Sequence, residues 1–380
     1  MIKINYPEDI ENFKDTYYQE ITESSEKYIL YNKINDIDIK LKQINSLLTF
    51  KELLTASFSE LIQYAKEFDL HIQDTIKNNL TSTYKDEEQE YIKYLFEKRN
   101  DKNVKWKDAD KEDGNEKENW KKRKKVLNKA YKKELCSILG DIQSILYENK
   151  TIANRIAGFF MENKESLNLN TCFYCNIDFI NVFQDENNEN KNHFTLDHIF
   201  PKAEYPFFSI SLFNLVPCCS PCNSKFKLTK EFKIEASLSK IIPSSEDYEF
   251  NNLIDFRLKD AENYIIMNNE KDLVVELVNL NKKVDEKKKD NIDEYLSIFK
   301  LKGRYEHHKD KAFDIIEKRK NYSDTQINEM SKLLGISSNQ IKKDIFGKEC
   351  FESANHPFEK YKQDIAKQIG LLLLPDDTSK

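Results

Sequence analysis

Residues 171–227 read TCFYCNIDFINVFQDENNENKNHFTLDHIFPKAEYPFFSISLFNLVPCCSPCNSKFK and contain two Cys-x-x-Cys pairs, Cys172 with Cys175 and Cys219 with Cys222. Each pair can present two thiolates to one metal ion, and two pairs form the four-sulfur cage that is typical of structural zinc. A cage closed by four protein ligands leaves no position for a reactive water. The sequence therefore predicts a structural zinc site that stabilises the fold around it.

Cys218 lies directly before Cys219, so two neighbouring residues compete for one ligand position. Only Cys219 stands three positions before Cys222, and adjacent residues of an extended segment point to opposite sides. We therefore assign Cys219 to zinc and Cys218 to packing. Five of the seven cysteines lie within 51 residues, which indicates a metal site rather than a disulfide framework in a cytoplasmic protein.

Outside this stretch the composition favours long helices. The 380-residue chain is 33% charged and 39% hydrophobic, its mean hydropathy is −0.73, and it has 7 glycines and 8 prolines. Scarce glycine argues against sandwiches, barrels and propellers, which need many tight turns. No apolar run approaches the roughly 18 residues of a membrane-spanning helix, and the N-terminus lacks the layout of a signal peptide. We expect a cytoplasmic protein without a membrane partner.

The chain divides into three predicted regions. Residues 1–150 carry helical periodicity, interrupted at about residues 101–119 by a charged segment that we expect to form a solvated loop. Residues 151–235 contain the cysteine pairs. Residues 236–380 begin with a predicted β-hairpin, ENYIIMNNEKDLVVELV, whose polar turn lies at about residues 268–271, and continue as helices.

A basic run, KKRKKVLNKAYKK from Lys121 to Lys133, has eight Lys or Arg and no acidic residue. On a helix these cations would spread around much of the surface. Two interpretations stay open: a solvated helix face, or a helix that contacts the phosphates of a polyanion.

Between the cysteine pairs lie LDHIFPK, at residues 196–202, and NLVPCCSPCN, at residues 214–223. These motifs resemble the HNH, or ββα-metal, endonuclease family in a version held by a four-cysteine zinc. The family pattern is an Asp-His pair at the end of a strand, an Asn in the loop that follows, and an Asn or His on a helix. The matching residues are Asp197, His198, Asn214 and Asn223.

The resemblance implies a fold class and an activity. The fold is expected to be mainly α with a small α+β core, a zinc-stabilised ββα-metal nuclease core flanked by helical regions. The activity is expected to be the hydrolysis of phosphodiester bonds in DNA. The motif covers about 58 residues, roughly a seventh of the chain, so it bears on the core and not on the flanks.

The same resemblance implies catalytic roles. His198 is the expected general base, because a neutral imidazole accepts a proton near pH 7. Asp197 and the amide oxygen of Asn223 are the expected ligands of a catalytic Mg²⁺ or Mn²⁺, and Mg²⁺ usually keeps several waters besides its protein ligands. Asn214 is expected to fix its loop and to orient the His198 ring.

Lysines flank this motif, and Lys202, Lys225 and Lys227 are the expected nucleic-acid contacts. Residues 198–233 contain five Lys against two Glu, whereas the whole chain has a net charge of −6. A local positive patch in an acidic chain favours phosphate binding at this place. His193 is open to two interpretations: a contact with phosphate or with a partner's carbonyl, or an ordinary strand histidine.

The segment DHIFPKAEYPFFSISLFNLVP also resembles HNH nucleases of bacterial antiphage systems, of the Septu and retron-associated type, which typically work beside an ATPase. This finer resemblance implies an ATPase or another defence subunit as a protein partner. Two other functions stay open: an HNH nuclease that cleaves RNA, and a non-catalytic zinc module that binds nucleic acid or a partner protein.

Overall fold

The fold is known from a computed structural model that describes residues 2–22, 27–84, 89–94, 96, 114–139, 146, 150–202, 205–228, 230–281 and 290–373. It is mainly helical, as the glycine-poor composition predicts. The N-terminal helices are α1 (Ile10–Thr22), α2 (Lys27–Ile44), α3 (Phe50–Thr55), α4 (Phe58–Thr83), α5 (Gly114–Leu139) and α6 (Lys150–Glu162). The C-terminal helices are α7 (Phe250–Leu253), α8 (Asn291–Ile298), α9 (Leu301–His307), α10 (Asp310–Asn321), α11 (Asp324–Leu334), α12 (Ser338–Phe346) and α13 (Glu359–Gln368).

Helix α4 shows how the sequence produces these helices. Ser57 starts it with a capping box, because the Ser57 side chain accepts from the backbone of Glu60 and the Glu60 side chain accepts from the backbone of Ser57. Its buried residues then follow at steps of one, three or four positions, which places them on one face. Among the described helices, none combines the length and the apolar character needed to cross a bilayer.

The described strands form three two-stranded antiparallel sheets. They are β1 (Val182–Gln184) with β2 (Asn190–Asn192), β3 (Thr195–His198) with β4 (Leu215–Cys218), and β5 (Ile254–Leu258) with β6 (Val275–Asn279). Small sheets inside a mainly helical chain confirm the coarse fold class, mainly α with a small α+β part.

Two strands and a helical turn follow one another in the stretch that holds the motif. β3 and β4 pair antiparallel, with His198 opposite Leu215. β4 ends at Cys218, and a seven-residue π-helical turn follows at Pro221–Lys227. Asn223 lies on this turn. The core thus has the order strand, strand, helical turn, and the first strand ends at His198.

The N-terminal helices hold the loop between β3 and β4, residues 199–214. The Tyr17 hydroxyl of α1 donates to the carbonyl oxygen of Ile210 at 2.7 Å. Within the loop, the Ser211 hydroxyl donates to the carbonyl oxygen of Leu53 in α3 at 2.9 Å. Both hydrogen bonds are buried, so the helices fix the conformation of the loop.

The C-terminal helices hold the first cysteine turn. The Tyr295 hydroxyl of α8 donates to the carbonyl oxygen of Tyr174 at 2.9 Å, and the Tyr305 hydroxyl of α9 donates to that of Cys175 at 2.7 Å. The Tyr174 ring also stacks on Phe299, with 4.4 Å between the ring centroids. The core is therefore held from both sides, and the buried apolar residues of all three regions form one cluster.

The predicted β-hairpin exists, but its first strand is not the predicted one. β6 lies in the predicted second strand, whereas its partner is β5, and residues Ala261–Ile266 form a 3₁₀ helix instead of a strand. Every second residue of β5 is buried, which gives the strand an inner face. Ile265 and Ile266 are adjacent, and both are exposed, by 65% and 73%. Alternating burial, and not local apolar content, decides which segment pairs.

The charged segment also differs from its prediction. Residues 101–113 lie outside the described residues. Helix α5 begins at Gly114, so residues 114–119 are helical and the predicted end of the loop was wrong. The basic run from Lys121 to Lys133 lies on the same helix.

Candidate metal centre and catalytic site

The four predicted zinc ligands come together. The sulfur atoms of Cys172, Cys175, Cys219 and Cys222 all lie within 4.8 Å of one another, and all four residues are buried. A four-sulfur group of this kind could hold a metal ion such as zinc. Cys218 is buried as well, but it is not part of the group. The tertiary structure therefore agrees with the choice of Cys219 over Cys218.

The sulfur cluster and Arg304 stabilise the thiolate form of Cys175 even without a metal ion. Burial raises the pKa of the Cys175 thiol, but hydrogen bonds from the three other thiols and the charge of Arg304 outweigh burial and hold that pKa well below its ordinary value. Metal binding requires thiolates and releases the thiol protons. The donor set therefore fits an ion that prefers sulfur, such as zinc.

Arg304 of α9 lies against the sulfur cluster. Its Nη1 donates to Cys222 Sγ at 3.3 Å, and its Nη2 donates to Cys175 Sγ at 3.4 Å and to Asp178 Oδ2 at 2.8 Å. The guanidinium carbon lies 5.0 Å from the ring centroid of Phe226, on the π-helical turn. Four thiolates around a divalent ion carry two net negative charges, so a guanidinium at hydrogen-bond distance offsets part of the charge that the fold must bury.

Sequence reasoning missed Arg304 because it is separated from Cys222 by 82 positions. Nothing in its local sequence distinguishes it from the other cations of a helix-rich, charged chain. Asp178 carried a weak signal, since it stands three positions after Cys175 and thus extends the Cys-x-x-Cys spacing by one step. Only the packing of α9 on the first cysteine turn brings the two together.

Asp197 is buried, and its carboxylate is already engaged. The Tyr174 hydroxyl donates to Asp197 Oδ2 at 2.6 Å, and Lys227 Nζ donates to Asp197 Oδ1 at 3.0 Å. Lys227 Nζ also donates to the carbonyl oxygen of His198 at 2.7 Å. Tyr174 lies in the first cysteine turn, and Lys227 is the last residue of the π-helical turn that contains Cys222. The buried ion pair therefore joins the two halves of the core to β3.

Lys227 does not lie where the sequence led us to expect it. We predicted a contact with nucleic acid, but Lys227 is only 3% exposed, and its ammonium is bound to Asp197 and to a backbone carbonyl. Contact with a phosphate would break a buried ion pair and leave a buried charge without its partner. The π-helical turn directs its last residue inward, which a count of lysines along the sequence cannot show.

The placement of Asp197 also bears on the predicted catalytic cation. The carboxylate of Asp197 and the amide oxygen of Asn223 have the chemistry that Mg²⁺ and Mn²⁺ prefer. The Lys227 ammonium, however, lies 3.0 Å from the same carboxylate, and a divalent cation beside it would meet a like charge. Asp197 and Asn223 therefore do not form an open oxygen site for a cation, because Lys227 would first have to leave Asp197. Within the described residues, the cysteine group is the one cluster of three or more His, Cys, Asp or Glu that could hold an ion.

The hydrogen bond of His198 assigns its tautomer. Its Nε2 lies 2.8 Å from the carbonyl oxygen of Ser209, and a carbonyl oxygen can only accept, so we place the proton on Nε2. The other ring nitrogen, Nδ1, then keeps the lone pair. Burial lowers the pKa of His198 to about 4, against the opposing charge of Asp197, so the ring is neutral at pH 7. The site thus holds a neutral imidazole with one defined proton acceptor.

Asn214 is fully buried and ties the loop together. Its Oδ1 accepts from the backbone N–H of Phe200 at 2.8 Å, and its Nδ2 donates to the carbonyl oxygens of Phe200 at 3.3 Å and of Phe208 at 2.8 Å. Ser209, whose carbonyl accepts from His198, directly follows Phe208 in the chain. These contacts fix the loop; that they serve to orient His198 stays a prediction.

The remaining predicted residues differ in exposure. Lys225 and His193 are exposed, whereas Lys202 and Asn223 are half-buried. The charge of Lys202 lies close enough to His198 to contribute, after burial, to the lowered pKa of its ring. The structure therefore brings Lys202 toward His198. The nucleic-acid contacts of Lys202 and Lys225 stay predictions.

Comparisons of this chain with protein-family models, with curated proteins and with solved structures found no match. The interpretation of the site therefore rests on its own residues and geometry.

Replacement of a cluster cysteine should remove the metal. We expect Cys222→Ser to lose bound zinc and to unfold at a lower temperature, because structural zinc contributes its binding free energy to folding. Cys218→Ser, one position outside the group, should keep both the zinc and the unfolding temperature near those of the wild type. Elemental analysis with thermal unfolding measures both. Loss of zinc from Cys218→Ser and its retention in Cys222→Ser would contradict the ligand assignment.

Loss of the Arg304 guanidinium should weaken zinc retention. We expect Arg304→Gln to bind zinc about 10- to 100-fold more weakly, because groups that hydrogen-bond metal ligands typically have effects of this size. Arg304→Lys should lie in between, since it keeps a charge but not the fork that reaches two sulfurs. The matched control is Arg319→Gln, which removes a guanidinium paired with Asp324 instead. Competition with a chromophoric zinc chelator gives the affinities, and equal affinities for all variants would refute the role.

The pair of Asp197 and Lys227 should behave as a coupled unit. We expect Asp197→Ala to lower the free energy of unfolding by about 3–5 kcal/mol, because it leaves the Lys227 ammonium buried without a carboxylate. Adding Lys227→Met should restore part of that loss, since it removes the unpaired charge. A double-mutant cycle by denaturant unfolding measures the coupling. Additive effects of the two changes would show that the pair is not a unit.

Proposed function

We propose that this chain is an HNH-type endonuclease that hydrolyses phosphodiester bonds in DNA. The observation that carries the proposal is the state of His198: a neutral imidazole at the end of β3, with Nε2–H donated to Ser209 and Nδ1 left as the proton acceptor. Hydrolysis of a phosphodiester needs a water that loses its proton as it attacks. A histidine with one defined basic nitrogen suits that task.

The surrounding core supports the proposal. Strand, strand and helical turn follow in the order that the HNH resemblance implies. The four-cysteine group joins the segment before β3 to the start of the helical turn. Hydrogen bonds of Asn214 to the loop backbone hold the segment that contains Ser209. The ring of His198 is therefore oriented by a loop that is itself held in place.

The protein groups near His198 fit the proton transfer. The lone pair on Nδ1 would take a proton of the water as its oxygen bonds to phosphorus and the bond from phosphorus to the leaving oxygen breaks. The other ring proton would stay on Nε2, donated to the carbonyl oxygen of Ser209. A base with a pKa of about 4 is weaker than an ordinary imidazole. A phosphodiester anion beside the ring favours the imidazolium and raises that pKa. Lys202, whose charge reaches His198, would attract the same phosphate.

The resemblance also implies a magnesium or manganese ion on Asp197 and Asn223, which would supply positive charge to the phosphate oxygens. The Lys227 ammonium on Asp197 is at odds with that ion. We therefore route no step through it, and the dependence of cleavage on divalent cations is a matter for measurement.

The finer resemblance leads us to propose a role in bacterial antiphage defence, in the cytoplasm and beside an ATPase or another defence subunit. The net charge of −6 weakens non-specific attraction to DNA, so a partner that delivers the nuclease would be useful. Leu333 and Leu334 at the end of α11 are 85% and 65% exposed and are candidate contacts for that partner. Comparing cleavage by the isolated chain with cleavage by the complex from its native neighbours tests this role, and equal rates would refute it.

A second candidate function is a non-catalytic zinc module that binds nucleic acid or a partner protein. The observation that favours it is the closed Asp197 site, where an ammonium lies in the predicted place of a catalytic ion. If the substrate of an active enzyme is RNA instead of DNA, the same His198 chemistry applies. Activity assays on a panel of substrates separate these three possibilities.

The nuclease function makes His198 essential. We expect His198→Ala to reduce cleavage roughly 10²–10⁴-fold, the usual contribution of a general base, while zinc content stays unchanged because the cysteine group is untouched. His71→Ala, a histidine on α4, is the matched control and should cleave like the wild type. The assay uses plasmid, single-stranded DNA and RNA, each with Mg²⁺, with Mn²⁺ or without added divalent ions.

The outcomes of that assay are distinct. Cleavage of RNA alone would replace DNA as the substrate. Full activity of His198→Ala would remove His198 from the mechanism. No cleavage of any substrate, with nucleic-acid binding retained, would favour the zinc module.

A further inference from the structure

Helix α5 carries a lysine at every fourth position from residue 121 to residue 133. The four are Lys121, Lys125, Lys129 and Lys133, and all four are exposed. Four residues correspond to a rise of about 6 Å along a helix, and steps of four keep the side chains within about one third of its circumference. We call this set the α5 lysine row. It forms a band of evenly spaced positive charge.

No described acidic residue forms an ion pair with a member of the α5 lysine row. The run from residue 121 to residue 133 has no Asp or Glu, and the next acid, Glu134, accepts a hydrogen bond from Asn79 of α4 at 2.9 Å. Some lysines of two other helices show a different pattern. In α10 and α13, lysines pair with acids three or four positions away, as Lys318 does with Asp314. Within the described residues, the positive charges of the α5 lysine row are therefore not neutralised by ion pairs and can interact with an anion from another molecule.

We propose that the α5 lysine row binds the phosphate backbone of nucleic acid; this proposal rests on the proposed nuclease function. A row of unpaired, evenly spaced cations matches a polymer of evenly spaced anions, and neutralising phosphates releases counterions. In a chain of net charge −6, such a row supplies the local attraction that the whole molecule lacks.

The rest of α5 favours nucleic acid over a lipid surface. A helix that lies on a membrane presents a broad apolar face to the lipid. Leu127 is buried, and Ala130, Tyr131 and Leu135 pack against the core, so the apolar face of α5 is already covered by the protein. Val126 is the one large hydrophobic residue of α5 that is exposed among those whose side chains are described.

The α5 lysine row is connected to the catalytic site through α4. Helix α5 packs on α4, with Glu134 bound to Asn79. In α4, Asp69 accepts from the Tyr205 hydroxyl at 2.6 Å, and Tyr205 lies in the loop that presents Ser209 to His198. Nucleic acid held by α5 would thus be held by a helix that packs on α4, and α4 contacts the loop that contains Ser209.

The test measures how DNA binding depends on salt in the full-length protein carrying His198→Ala, so that the DNA stays intact. In that background, Lys121, Lys125, Lys129 and Lys133 are all changed to Gln. We expect weaker binding of a short DNA duplex and a slope of log affinity against log salt that is smaller by about 0.9 for each lost phosphate contact. The matched control changes four exposed lysines elsewhere, with the same loss of charge. These are Lys259, Lys332, Lys348 and Lys367.

Each outcome decides the proposal. An unchanged slope in the α5 variant, or an equal change in the control, would refute the α5 lysine row as a nucleic-acid contact while leaving the nuclease function intact. DNA binding that depends on the α5 lysine row in a wild-type chain that never cleaves would support the row and refute the nuclease. Binding of the full-length protein through the α5 lysine row to vesicles with anionic lipid, and not to DNA, would also overturn the proposal.

Discussion

The candidate site depends on one constraint, the meeting of four cysteine sulfurs from two turns that lie 44 residues apart, as measured from Cys175 to Cys219. Strands β3 and β4 lie between the two turns, so a metal ion held there would fix both ends of the small unit that carries His198. The negative charge of the cluster must be offset in a buried place, and Arg304 supplies a guanidinium with hydrogen bonds to two of the sulfurs. Metal site and C-terminal helices are therefore expected to form together.

The two helical flanks divide the support of the core between them. The N-terminal helices bind the loop that contains Ser209, through Tyr17 and Leu53, and the C-terminal helices bind the first cysteine turn, through Tyr295 and Tyr305. Between the flanks, the buried pair of Asp197 and Lys227 joins both cysteine turns to β3. The large flanks thus have a structural task in supporting the core.

Features that depend on local chemistry were predictable from the sequence. The ligand spacing of the cysteines distinguished Cys219 from Cys218, because Cys-x-x-Cys geometry is set within four residues. Helices followed from apolar spacing and scarce glycine. The hairpin shows where local reasoning ends, because β6 was found but the exposed residues Ile265 and Ile266 were taken for its partner strand. Which segment pairs with β6 depends on which residues of the rest of the protein cover one face of that segment, and the segment's own sequence does not contain that information.

The sequence by itself therefore determined the four cysteines that could hold a metal ion, the mainly helical class and the residue types of the site. The tertiary structure decided how those residues are used. It buried Lys227 against Asp197, placed Arg304 on the sulfurs and assigned the proton of His198 to the nitrogen that faces Ser209. Each of these is an electrostatic contact between groups that lie 11 to 129 positions apart. The strength of a charge interaction depends on the distance between the groups and on their burial. The number of residues between them along the chain gives neither quantity.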